Sequence, residues 1–403
     1  MGMNPVVGLD IAKGESQGQA FLDKGKPYGK TFTIIHTREG LQAFLQFLKD
    51  LEARTQQQPV IILEATGHYH APVTQFLDEQ NYLYVVVNPI LSYQAKKSSS
   101  LRKVKTDAID AYALCEFFYK EDFEHHKKRG VQLLNLRNLT RQHESLTGQF
   151  VQIKLQFQAI LDQVFPEYKG VYGDLYSAVS LQTLLEFPTS EAVQCAGEAT
   201  LAARIAVLCS SRSDKWAREK AQELMAAATR NPFSKVPYQS HLFSMSLYIN
   251  MLLHYKEHLL TLNKQIDALA NEVEEYEIIL SIPGIGEKIA ATIISEVGEI
   301  NRFNHPKKLV AFVGVDPSVH ISGKFTATIN RITKRGSSRL RHALYMAVLC
   351  GLRRTGSKKL KVFYDKKMAE GKPHKVVMIA CVNKLLHWIF ALLKRKETFL
   401  DLS

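Results

Sequence analysis

Cysteine is scarce in this chain and never paired at short spacing. The five residues among 403, Cys115, Cys195, Cys209, Cys350 and Cys381, include no CxxC, which argues against a zinc knuckle and fits a reducing compartment. Long apolar runs are missing as well. No stretch reaches the ~18 uninterrupted apolar residues of a membrane span, so no membrane partner is expected. The opening MGMNPVVGLD has neither a basic n-region nor an apolar h-region, unlike a signal peptide, and a soluble intracellular protein is expected. Gly/Ser linkers and low-complexity tracts are absent, so domain boundaries must be read from changes of hydrophobic period. What remains is ordinary globular composition, 46% hydrophobic and 23% charged, in a chain long enough for two or three domains.

Excess positive charge is lacking from the first two thirds and concentrated in the last. Residues 1–280 carry 29 Lys and Arg against 31 Asp and Glu, whereas residues 281–403 carry 23 against 8. Such asymmetry points to a polyanion partner, because neutralising phosphates releases condensed counterions.

The first 115 residues alternate short apolar runs with amphipathic stretches. VVGLDIA (6–12), GQAFLD (18–23) and KTFTIIH (30–36) read as three strands; a helix over 37–55 follows, with Thr37 as N-cap. Then come a strand at 59–65, a helix near 71–80, a strand at 82–88 and helical segments after Pro89. Three strands followed by αβαβ is the order of a ribonuclease-H-like fold, an antiparallel hairpin system extended by parallel strands. The three consecutive opening strands argue against an ordinary doubly wound domain. From about 128 the pattern becomes long helix. Leu136, Leu139, His143, Leu146, Phe150, Ile153, Phe157, Ile160 and Val164 step by three and four, and the rhythm returns from Met245 to Leu280. Two such runs predict an antiparallel hairpin, a dimer seam, or plain helix packing within one subunit. The expected domains are 1–125, α/β; 126–280, a helical coiled-coil spacer; and 281–403, a basic, mainly helical module. That module opens with SIPGIGEKIAATIISEVG (281–298), which looks like a helix-hairpin-helix. Amides around Gly284 and Gly286 could hold a phosphate, or the turn could only pack two helices.

Two carboxylates sit where a lone anion is expensive. Asp10 lies inside the apolar run 6–12 and Glu64 ends the run 60–64. Asp107 and Asp110, three apart, share one face of a helix. Four acids held together repel unless cations lie among them. Two Mg²⁺ ions roughly 4 Å apart would satisfy the set and clamp the attacking and leaving oxygens of a phosphodiester. Each acid alone also has a mundane reading as a surface charge or a cap. His68 and His70 near Glu64 imitate metal-ligand spacing, but read better as polar residues at a helix start. The basic set Lys334, Arg335, Arg339 and Arg341, beside Gly336-Ser337-Ser338, suits nucleic acid more than a merely solvated helix.

The order Asp10, Glu64, Asp107, Asp110, in the contexts GLDIAK, LEATGHY and VKTDAIDA, resembles the DEDD transposases of bacterial insertion sequences. That family comprises bridge-RNA-guided serine recombinases and Piv-like pilin-gene invertases. The C-terminal segments IPGIG (282–286), ISEVGEINRF (294–303), LVAFVGVDP (309–317), ISGK (321–324) and ITKRGSSRLRHAL (332–344) are similar to its transposase module. The resemblance implies a RuvC-like domain whose metal tetrad falls on Asp10, Glu64, Asp107 and Asp110, served by Mg²⁺ with Mn²⁺ as a substitute. It also implies a nucleophile at Ser322, next to Gly323, that forms a covalent phosphoserine with DNA. Double-stranded DNA, a structured bridge RNA and further copies of the chain would be the partners, in the bacterial cytoplasm at the nucleoid. From the residues alone Ser322 is a credible nucleophile, with Lys324 near to offset phosphate charge, but Ser318, Ser337 and Ser338 have equally basic surroundings. Lys105, Gly284, Gly286, Lys324, Lys334, Arg335, Arg339 and Arg341 are the expected nucleic-acid contacts. The competing readings are a metal-dependent nuclease or Holliday-junction resolvase in which water attacks, and a non-enzymatic architectural binding protein.

Overall fold

The computed structural model describes residues 4–65, 67–87, 89, 106–120, 131–233, 239–318, 321–322, 325–326 and 331–400. The chain divides into two compact units. The first comprises Met1–Val131, Val297–His342 and Lys372–Arg395; the second comprises Gln132–Glu296, Ala343–Gly371 and Lys396–Ser403.

The first unit is built on a five-stranded sheet of β1 (Val6–Ile11), β2 (Glu15–Asp23), β3 (Lys26–Ile35), β4 (Val60–Glu64) and β5 (Tyr84–Val87). Its order is β3-β2-β1-β4-β5, antiparallel among the first three strands and parallel from β1 to β4 to β5. The β2–β3 turn is short, Asp23 pairing with Lys26 around a Gly25 at φ 71°. The parallel strands need crossovers. α1 (Arg38–Thr55), capped by Thr37 Oγ1 accepting from Gly40 N–H, supplies one and α2 (Ala71–Glu79) the other. Alternation with period two assigns each apolar residue to a face. Val7, Leu9, Ile61 and Leu63 join Phe44, Leu48, Val73 and Leu77 under α1 and α2. Val6, Val60, Ile62, Val85 and Val87 meet Leu114, Cys115 and Phe117 of α3 (Asp107–Phe118) on the opposite face.

Within the second unit, α4 (Val131–Val164), α5 (Ala178–Glu186), α6 (Ser190–Leu208), α7 (Asp214–Arg230), α8 (Gln239–Asn271), α9 (Glu274–Leu280) and α10 (Glu287–Val297) follow in order. Ser177, Thr189 and Ser213 cap three of them through the side chain. The two long helices run antiparallel within one chain. Gln132 donates to Glu272 at 3.1 Å, and Tyr255 donates to Gln149 at 3.1 Å, so numbers rise on one helix as they fall on the other. Phe150, Ile153, Phe157 and Leu161 share a core with Met245, Ile249 and Leu252. Glu296 of α10 is 1% exposed and answers two arginines of α4. Arg141 forks onto it at 2.6 and 3.0 Å and Arg137 reaches it at 3.4 Å.

The C-terminal third adds α11 (Pro306–Val313), a short antiparallel pair β6 (Ile321–Ser322) and β7 (Phe325–Thr326), α12 (Ser338–Gly351), α13 (Lys358–Ala369) and α14 (His374–Arg395). α14 is long and apolar enough to cross a membrane by length and composition. Its buried residues Val377, Met378, Cys381, Val382, Leu385, Leu386 and Ile389 nevertheless recur at helical spacing along one stripe, and it packs on α11. That is the pattern of a core helix. All five cysteines are free. The helical segments expected after Pro89 fall, from 90 to 105, outside the described residues.

Candidate active site

β1 and β4 run parallel with Leu9 opposite Leu63. One step further, Asp10 and Glu64 stand side by side at the carboxyl ends of adjacent strands. Alternation puts both on the face of Val6, Gly8 and Ile62, the face that α3 covers. Both are half-buried. α3 begins at the third and fourth acids. Thr106 caps it by accepting from Ile109 N–H at 3.3 Å, and the partial positive charge of a helix start favours anions at Asp107 and Asp110. Asp110 is 7% exposed, while Asp107 is exposed in the first turn.

Gly8 is the reason α3 lies so close. A β-carbon there would stand 2.3 Å from Ala111 O and 2.8 Å from Cys115 Sγ. The helix backbone therefore rests directly on β1, two residues before Asp10. Cys115 fixes the contact. Its sulfur accepts from Gly8 N–H at 3.1 Å and donates to Gln19 O at 3.2 Å, tying α3 to both β1 and β2. Burial pushes its thiol up to about 12, so it remains a thiol and is neither a nucleophile nor a thiolate ligand. The sequence reading passed over Gly8 and Cys115. A glycine inside a β-branched strand run is the signal that marks such an approach.

The carboxylates form an all-oxygen donor set, the kind that Mg²⁺ and other hard divalent cations take. Among the described residues no three His, Cys, Asp or Glu side chains are already gathered into a metal cage. The backbone delivers Asp10, Glu64 and Asp110 to one end of one sheet face, and the donor chemistry of that end fits a divalent ion. His68 and His70 stand in the turn before α2, where His70 makes no side-chain cap.

Ser322 ends β6 and pairs with Phe325. Gly323 and Lys324, between them, lie outside the described residues, as does Lys105. The same hairpin is paired again further from the tip. Pro317 bridges Ile332, Ser318 N–H donates to Arg331 O at 2.7 Å, Thr333 N–H donates to Asp316 O at 3.0 Å, and Lys334 N–H donates to Gly314 O at 3.0 Å. Two glycines close its base. A β-carbon on Gly336 would lie 1.9 Å from Phe312 O, and one on Gly314 would lie 2.6 Å from Arg335 N. Arg341 locks this base from α12, donating to Val313 O at 3.1 Å and Gly336 O at 2.7 Å; burial lowers its pKa from the usual arginine range. Its guanidinium thus has an internal task, whereas Lys334 and Arg335 are exposed and Arg339 is half-buried. Ser318 Oγ donates to Arg331 O at 2.8 Å, and Ser337 Oγ caps α12 by accepting from Leu340 N–H at 3.3 Å. In the second unit, Gly284, at φ 97°, presses against Gly351, and Gly286 is exposed at the start of α10.

Comparison with known proteins follows the same two regions. Residues 7–166 match a DEDD transposase family of the IS110 type, and residues 276–365 match the family described as Transposase IS116/IS110/IS902. The chain is similar to the transposase for insertion sequence element IS1111A of Coxiella burnetii, 32% identical over 137 residues, which is 34% of this chain and 37% of that protein. It is 23% identical to the insertion element IS116 uncharacterized 44.8 kDa protein of Streptomyces clavuligerus, over 98% of this chain and 95% of that one. The pilin gene-inverting protein of Moraxella lacunata is 21% identical, over 98% of this chain and 97% of its own.

Proposed function

The chain belongs to the IS116/IS110/IS902 transposase family, and from that premise we propose that it is the recombinase of an insertion sequence, cleaving and rejoining double-stranded DNA through a serine–phosphate bond. The observation that carries this reading is the register that sets Asp10 beside Glu64 under a helix opening with Asp107 and Asp110. The sheet order supports a ribonuclease-H-like, RuvC-like domain in residues 1–125. A helical spacer then covers 126–280 and a basic transposase module 281–403.

Asp10, Glu64, Asp107 and Asp110 would hold divalent cations, two Mg²⁺ or Mn²⁺ in their place. When bound, these polarise the scissile phosphate and stabilise charge on the oxygens around it. Ser322 Oγ attacks phosphorus; the Oγ–P bond forms as the P–O bond to the neighbouring deoxyribose breaks, and the departing oxygen takes up a proton. The freed hydroxyl of a second DNA end then attacks the phosphoserine, restoring a phosphodiester and the serine. The hydroxyls of Ser318 and Ser337 are engaged with backbone, which counts against those two as the nucleophile, and the family resemblance favours Ser322 over Ser338. Lys105, Lys324, Lys334, Arg335, Arg339 and the turn at Gly284 and Gly286 would contact nucleic acid, with a structured bridge RNA choosing the target. Arg341 contributes by holding the hairpin that carries Ser322. Phe243, Leu247 and Met251, 67%, 48% and 41% exposed at four-residue spacing on α8, supply an apolar stripe for a homo-oligomer.

Trapping a protein–DNA adduct under denaturing conditions tests the reading. A Mg²⁺-dependent adduct abolished by Ser322→Ala and by Asp10→Asn is the expected result. Cleavage with no adduct would instead make the protein a metal-dependent nuclease or resolvase, and binding without cleavage an architectural protein.

A further inference from the structure

The second unit contains a basic surface of its own, separate in sequence from the set at Lys334 to Arg341. Residues 343–371 carry seven Lys and Arg against two Asp and Glu. Three of these cations are already answered. Lys361 pairs with Asp365 at 2.8 Å, Lys367 pairs with Glu370 at 2.9 Å, and Lys359 donates to Leu400 O at 2.7 Å. Arg353 and Arg354 differ. Both are exposed, and no carboxylate lies within ion-pair distance of either among the described residues.

Their place in the fold gives them a purpose. They lie in the turn between α12 and α13, which closes on itself through Gly356 N–H to Arg353 O at 2.9 Å and Ser357 N–H to Gly351 O at 2.9 Å. Gly351, at the head of that turn, touches the Pro283-Gly284 hairpin backbone to backbone. A β-carbon on Gly284 would fall 2.4 Å from Gly351 Cα, and one on Gly351 would fall 3.1 Å from Pro283 O. Gly286 and Lys288, just beyond the hairpin, are exposed, and Lys288 also lacks an acidic partner among the described residues. Two tight turns are thus fused at a glycine junction, and the unanswered cations Lys288, Arg353 and Arg354 flank it.

We infer that the fused turns at Gly284 and Gly351 form a clamp for the sugar–phosphate backbone of duplex DNA, with Lys288, Arg353 and Arg354 as its cations. The inference rests on the proposed DNA reaction and deepens it, giving the second unit a sequence-independent grip on the duplex. Backbone contact at the junction fixes the spacing of the turns, so the cations meet successive phosphates without ordering a loop first. Neither turn presents a carboxylate that would oppose a phosphate except Glu287, exposed on α10.

The test is binding of the full-length protein to a 30-base-pair duplex of arbitrary sequence, in metal-free buffer so that no cleavage intervenes, across a range of salt. Losing two phosphate contacts in Arg353→Gln/Arg354→Gln should shallow the slope of log K against log salt by about 1.8 and weaken binding about 30-fold at 0.15 M. Lys361→Gln, removing a cation already paired with Asp365, should leave the slope unchanged. A double variant with the wild-type slope overturns the clamp, as does an equal loss in Lys361→Gln or a loss confined to a duplex RNA of the same length. If the Ser322 adduct forms normally while the slope stays unchanged, the clamp fails and the recombinase reading stands. If the wild-type chain does not bind the duplex at all, both fail.

Discussion

Gly8→Ala is the most economical perturbation of the acidic site, because it adds one methyl and touches none of the four carboxylates. The new β-carbon would lie 2.3 Å from Ala111 O, and real contacts of this kind do not fall below 3.0 Å. The start of α3 must therefore retreat from β1 by about 0.7 Å, the difference between the two distances, and Asp110 moves with Ala111. Overpacking of this kind costs about 1–3 kcal/mol, or roughly 2–12 °C in melting temperature for a unit of about 200 residues. Displacement of a reacting constellation by about 1 Å costs on the order of 100-fold in rate. The expected result is a folded protein with a modest loss of stability and a disproportionate loss of Mg²⁺-dependent adduct formation. Gly25→Ala supplies the comparison. Gly25 sits at φ 71° with nothing within 4 Å, so its substitution costs about 1–2 kcal/mol of backbone strain at the end of the sheet opposite Asp10. Thermal unfolding and adduct yield, measured on both variants, separate geometry from stability. If the two variants lose activity in the same proportion to stability, or if Gly8→Ala recombines at the wild-type rate, the placement of α3 over Asp10 and Glu64 does not govern the site.

Other substitutions probe the mounts of each element. Glu296→Ala leaves Arg137 and Arg141 facing a buried gap; because both arginines are partly exposed, about 2 kcal/mol of stability should be lost, against less for Glu296→Gln, by denaturant unfolding. Gly336→Ala, with its β-carbon 1.9 Å from Phe312 O, should disrupt the hairpin base and reduce Ser322 adduct formation while Mg²⁺ binding by the N-terminal acids is kept, measured by calorimetry. Arg341→Gln should cost about 1–2 kcal/mol through two lost carbonyl bonds and leave the salt slope of DNA binding unchanged, whereas Arg335→Gln should shallow that slope by about 0.9. Acid should destabilise the protein. His36, His143 and His387 all have pKa values lowered chiefly by burial, so below the ordinary value of 6.5 the unfolded chain binds more protons than the folded one, and stability falls as pH drops from 7 towards 5. Replacing each in turn with Gln should flatten the pH dependence of the melting temperature.

The α/β order was legible because its strands are short β-branched runs and its crossover helix α1 carries both an N-cap and an apolar face. Strand ends shifted by a few residues, most at β3, which begins at Lys26 rather than Lys30, and nearly as much at β2, which begins at Glu15 rather than Gly18; the polar ESQ segment is held by pairing to β1 and β3, a tertiary effect that local pattern does not encode. The long helices were legible as periods. Their partner was not, because a stripe at three-four spacing looks the same whether it meets its own chain or another. Hydrogen bonds from Gln132 to Glu272 and from Tyr255 to Gln149 decide in favour of the same chain for one face. At the acidic site, Asp10 and Glu64 were visible as charges in apolar strands. Their adjacency follows from β1–β4 register, which links positions more than fifty residues apart. Arg341 shows the opposite difficulty: in a basic run every cation looks like a phosphate ligand, and the carbonyls of Val313 and Gly336, which give this one an internal task, are not legible in the sequence.

The functional elements share one construction. Where α3 meets β1, where the Ser322 hairpin meets α11, and where the Gly284 turn meets α12, a glycine removes the side chain and backbone rests on backbone. Side-chain packing tolerates rotamer changes and small displacements, but a carbonyl against a Cα has no rotamer to relax. That difference matters most where the parts being held repel one another. Asp10, Glu64 and Asp110 carry like charge, and in the absence of a cation their repulsion would push a loosely packed helix away from the strand ends. The Cys115 hydrogen bonds to Gly8 N–H and Gln19 O, with the apolar packing of α3 on the sheet, oppose that push. On the proposed reading, the acids would be held close to one another ahead of a metal ion, and the fold would bear part of the electrostatic strain of assembling the site.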